Sequence, residues 1–169
     1  MIAAAAMFTA CNGNTTTEGA TTSPDSVTTE QAAEEPEEAV VEKMGPCSIE
    51  SNDMSLDVPE GWKATVGNFD EIIMTKTRDD NMTQKIEVSK VPNKTAAVRI
   101  DDLLSSGGLV KGADVKIGDK AYTTVRSESN EFYHLVADWG EEIILDVTTN
   151  FIQPEAAEVK AVVESVKIK

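Results

Sequence analysis

Any His-dependent nucleophilic chemistry in this 169-residue chain must use its one histidine, and the other candidate reactive groups are two cysteines and an abundance of carboxylates. His134 falls within residues 131–138, where Phe132, His134 and Val136 alternate with Tyr133, Leu135 and Ala137. Mid-strand between apolar neighbours, it is expected to be a hydrogen-bonded structural histidine. Cys47 has no adjacent basic residue to favour its thiolate and reads as a packed or idle thiol. Asp79-Asp80-Asn81 with Thr83 places oxygen atoms at spacings that suit calcium. The register of a calcium loop fails there, because Gln84 replaces the glycine of the sixth position and Lys90 the glutamate of the twelfth. Asp138, Glu141, Glu142 and Asp146 cluster about a hairpin and are expected to form a solvated acidic rim, and Asp101-Asp102 faces out of a helix. Phosphate loops, zinc spacings and nucleophile elbows are absent from the sequence. No catalytic residue, metal site or cofactor is therefore expected.

The elements that must carry these residues fall into three regions. In residues 1–11, small apolar side chains lead to Cys11 and then to polar Asn12-Gly13-Asn14. Ten residues are too few to span a hydrocarbon core, which takes roughly 20 in a helix, but they suit the apolar part of a signal peptide. Phe8-Thr9-Ala10-Cys11 resembles a bacterial lipobox. The resemblance implies a diacylglycerol on Cys11, which would anchor the protein in the cell envelope. Residues 12–46 are rich in Thr, Ser, Glu and Ala, with eight acidic residues against Lys43 alone. Such a segment buries too little apolar area to offset its ordering entropy and is expected to be a disordered, extended tether. Within it, Asp25-Ser26-Val27 resembles a short O-glycosylation sequon, which implies a glycan on Ser26.

Residues 47–169 are expected to form the folded domain. Met54, Leu56 and Val58 alternate with Ser55 and Asp57, and Pro59-Glu60-Gly61 supplies a turn. Further period-two segments surround Ala64, Ile72, Ile86, residues 114–117, 122–127, 131–138 and 142–149. Ala96, Ile100, Leu103 and Leu104 have helical spacing before Gly107-Gly108, and Ala156, Val159, Val163 and Val166 form the stripe of a final helix opened by Pro154. Strands, helix, strands, helix predicts an α+β domain, an antiparallel sheet flanked by helices.

The run Met54-Ser-Leu-Asp-Val-Pro59-Glu-Gly-Trp62 resembles the strand–Pro–x–Gly–Trp opening of PsbP-like and Mog1-like domains, and the terminal Val162-Val-Glu-Ser-Val-Lys-Ile168 resembles their closing helix. The resemblance implies an α/β/α sandwich that acts by binding other proteins and has no shared catalytic residues. With a net charge of −15, nucleic acid is an unsuitable partner. The expected function is a non-catalytic protein-binding or accessory module. It would be held to the membrane by its N-terminal lipid and would bind another envelope protein. Trp139 and Phe69, both near turns, are the expected contacts, whereas Trp62 is expected in the core. Two rivals make different demands. A small periplasmic hydrolase or lyase needs His134 beside a carboxylate in an open pocket, and a small-ligand or ion carrier needs a cavity between sheet and helix.

Overall fold

The computed structural model describes residues 42–169. In chain order the first strands are β1 (Lys43–Met44), β2 (Cys47–Glu50), β3 (Met54–Val58), β4 (Lys63–Val66), β5 (Ile72–Thr77) and β6 (Thr83–Pro92). Helix α1 (Ala96–Ser105) follows, then β7 (Leu109–Lys111), β8 (Val115–Ile117), β9 (Lys120–Ser127), β10 (Phe132–Gly140) and β11 (Ile143–Asn150). Helix α2 (Ala157–Ser165) and β12 (Lys167–Ile168) close the chain. Strand pairing thus begins at Lys43, ahead of the boundary expected at Cys47.

A large sheet has the order β1-β4-β5-β6-β11-β10-β9-β7, with β8 paired on β9. A second sheet, β12-β3-β2, has three strands, and the pairings throughout both sheets are antiparallel. Alternation decides which residues meet. Ile72, Met74, Ile86, Val88, Leu135, Leu145 and Val147 point inward, where they join Ile49, Met54, Leu56 and Val58 of the small sheet and Val159, Val162 and Val163 of α2 in one core. Part of the outer face is covered by α1, whose Leu103 packs with Val125, Val136 and Ile144.

The expectation of an α+β sandwich, an antiparallel sheet flanked by helices, is overturned. The described residues are mostly antiparallel sheet with two short helices, ten and nine residues long. Over the inner face the small sheet does much of the covering, and α2 packs on β3 and β8. The physical reason lies in short segments. Cys47–Glu50 and Lys167–Ile168 hold too few residues for alternation to show, yet they flank β3 and complete a sheet. The final helix also starts later than expected, after a turn in which Ala156 N–H donates to Gln153, and stops at Ser165, where Val166 turns extended.

Two local features agree with their sequence chemistry. Trp62 N–H closes a turn onto the Pro59 carbonyl at 3.2 Å, with Gly61 at φ 77° in the position that demands positive φ, and the indole is fully buried. Helix α1 begins at Thr95, whose hydroxyl accepts from Val98 N–H, and Asp138 of β10 accepts from Ala96 N–H at 2.8 Å. That carboxylate pins the helix to the outer face of the sheet.

Candidate binding cleft

Helix α1 leaves part of the outer face uncovered. The open part is a cleft of about 450 Å³ whose floor comes from β6, β11 and β10. Lys85, Glu87 and Ser89 contribute from β6, Thr148 and Asn150 from β11, and Phe132 and His134 from β10. Arg99 reaches in from α1, and Asp146 lies at the base.

Register explains why His134 and Asp146 meet. His134 pairs with Thr148, and Val136 with Asp146, so the two side chains are diagonal neighbours on one face. His134 Nδ1 lies 2.9 Å from Asp146 Oδ1. The other oxygen, Oδ2, accepts from Arg99 Nε at 2.8 Å and lies 2.7 Å from Nη2 in the same ion pair. Asp146 is 2% exposed, and a carboxylate so buried is tolerable because both oxygens are occupied. An accepting carboxylate assigns a proton to Nδ1, so a ring carrying that one proton presents its Nε2 lone pair. The His134 side chain is nine-tenths buried, and Nε2 has no hydrogen-bond partner among the described residues and keeps some contact with solvent in the cleft. The Phe132 ring meets the imidazole edge-on, with centroids 5.0 Å apart. At the rim, Lys85 Nζ pairs with Glu87 Oε2 at 2.6 Å.

The other residues singled out in the sequence lie elsewhere. Asp146 is not part of a solvated rim, as expected, but a buried ion-pair member. Asp138 caps α1, and Glu142 occupies the hairpin turn at φ 56°. Asp80 accepts from Met82 N–H and pairs with Arg78 at 3.1 Å in the β5–β6 turn. Asp102 is bonded to Lys94, which holds its carboxyl below the usual range. Among the described residues no group of three or more His, Cys, Asp or Glu side chains could hold a metal ion. Cys47 is a free, half-buried thiol against the main core. Phe69 stands 90% exposed in the β4–β5 turn. Trp139 packs partly against the inner core, on the opposite face of β10 from His134, with Lys120 Nζ 4.6 Å from its ring centroid. Neither aromatic lines the cleft. Cys11 and Ser26 lie outside the described residues.

Among the cleft residues missed from sequence are Arg99, Thr148 and Asn150, along with the pairing role of Asp146. One signal was present: Asp146 interrupts the apolar run Ile143-Ile144-Leu145-Asp146-Val147, and a charge in such a run needs a partner.

No family model matches the chain, and no curated protein sequence matches it. Among solved structures it is similar to a protein from Bacteroides thetaiotaomicron VPI-5482, at 15% identity and a TM-score of 0.44. The alignment covers 69% of this chain and 45% of that one, so the chain spans less than half the length of that structure.

Proposed function

We propose that this chain is a lipid-anchored cell-envelope protein whose β-rich domain is a non-catalytic binding module, and that it binds through the His134 cleft. The observation that carries the reading is a nine-tenths buried histidine, locked by Asp146 and Arg99, whose Nε2 is left open to a cleft. Groups held this rigidly lose little entropy on binding a ligand. The Cys11 lipobox supports the anchor, and the anchor supports a partner within the envelope. Phe69 is the second contact candidate, since it is far more exposed than Trp139.

Photocrosslinkers placed at Thr148, Phe69 and Trp139 in the native envelope test the binding face. Adducts from Thr148 that disappear in His134→Ala support the cleft; adducts confined to Trp139 contradict it. Palmitate labelling of the precursor, lost in Cys11→Ser, tests the anchor, and a product that needs no detergent contradicts it.

The second reading is a small hydrolase or lyase, favoured by the same His134–Asp146 pair standing in a solvent-open cleft. In a serine-type triad the carboxylate stabilises the imidazolium that forms during catalysis. Here Arg99 already holds the second Asp146 oxygen, and among the described residues no hydroxyl or thiol is bonded to Nε2, so the pair lacks a nucleophile and fits a fixed recognition group. Turnover of model esters that His134→Ala abolishes would favour the enzyme.

A further inference from the structure

We infer that the cleft takes a neutral, hydroxyl-rich ring ligand, a saccharide, rather than an ion; this rests on the binding reading above. Charge balance is the first reason. The ionic groups of the cleft form two pairs, Lys85 with Glu87 and Arg99 with Asp146, and His134 Nδ1 is itself bonded to the Asp146 carboxylate. An anion or cation would have to break a pair or bring an uncompensated charge into a partly desolvated site. A hydroxyl group does neither.

The second reason is the mixture of donors and acceptors. Each sugar hydroxyl both donates and accepts. His134 Nε2 and the free oxygen of Glu87 accept, Lys85 and the remaining Arg99 N–H groups donate, and the Asn150 amide does both. The third reason is Phe132, which stands beside His134 and gives the cleft an aromatic side. The electron-rich face of a phenyl ring attracts polarised C–H groups, such as those on the apolar face of a pyranose. The volume of about 450 Å³ falls in the range of small-molecule sites, roughly 300–1,000 Å³.

The test is an NMR titration of the full chain in detergent, following the His134 ring nitrogens and the Asn150 side-chain amide. Neutral mono- and disaccharides of gluco, galacto and manno configuration are the probes, with inorganic phosphate, acetate and glucosamine as charged comparators. At least one neutral sugar is expected to shift both signals saturably, while phosphate and acetate do not. Phe132→Ala and Asn150→Ala should each weaken that binding by about tenfold, and Phe132→Trp, which keeps an aromatic face, should retain it. Thermal melting of each variant separates a lost contact from a lost fold, and Asn150→Ala serves where Phe132→Ala does not fold. Saturation by a charged comparator without any neutral sugar overturns the ligand class but leaves the binding cleft standing. Silence of the cleft to every sugar overturns the inference, and silence combined with failed crosslinking from Thr148 removes the binding reading as well.

Discussion

Strands β10 and β11 contribute to two regions of opposite character. On their inner face Leu135, Leu145 and Val147 are fully buried in an apolar core closed by the small sheet and α2. On their outer face, one residue along, His134 and Asp146 form a polar network that α1 covers only in part. The backbone and the pairing are the same; only the parity of the position differs. The inner face can be read as the source of stability, and the outer face combines helix packing with a site. Substitutions on the two faces should therefore separate folding from binding.

The largest expected effect is on the inner face. Trp62→Ala removes the largest fully buried side chain and should cost about 3–5 kcal/mol, measured by denaturant unfolding. Arg99→Ala should cost less, about 2–3 kcal/mol, because it strands the Asp146 charge while the guanidinium itself is 29% exposed. The double variant Arg99→Ala, Asp146→Asn should recover part of that loss, since the buried charge is then gone. A double variant no more stable than Arg99→Ala alone would deny that the ion pair matters.

High pH offers an independent view of the inner face. Burial pushes the Tyr122 phenol up to about 12, whereas an unfolded tyrosine ionises near pH 10. Its contribution is therefore complete below pH 10 and lost as pH rises from 10 toward 12, by about 2–3 kcal/mol. Tyr122→Phe should flatten the alkaline fall in stability; an unchanged slope would place the alkaline transition elsewhere. The smallest effect is expected at Phe69, where Phe69→Ala should alter stability by no more than about 0.5 kcal/mol while reducing any partner contact made by the turn.

Much of the strand content was legible because alternation is a local property. Met54–Val58 and Phe132–Gly140 present inward apolar residues at every second position, Ile72–Thr77 does so at Ile72 and Met74, and Trp62 follows a turn whose chemistry is explicit. The arrangement was harder to read. Strands of two to four residues, such as β1, β2, β7 and β12, have no measurable period, and their omission made two helices look like layers of a sandwich. The same limit applied to the site. His134 was visible as a mid-strand histidine, but its partner depends on the β10–β11 register and on where Asp138 holds the start of α1. Those are long-range facts that no window of sequence contains. A carboxylate inside an apolar run marked Asp146 as needing a cation without identifying Arg99.

The central claim is that binding resides on the outer face. It is tested most directly by comparing His134→Gln with the unaltered full chain for both melting temperature and Thr148 crosslinking in the native envelope. The account predicts crosslinking reduced by about tenfold or more with the fold retained. Crosslinking from Thr148 that is undiminished in a folded His134→Gln protein would contradict it.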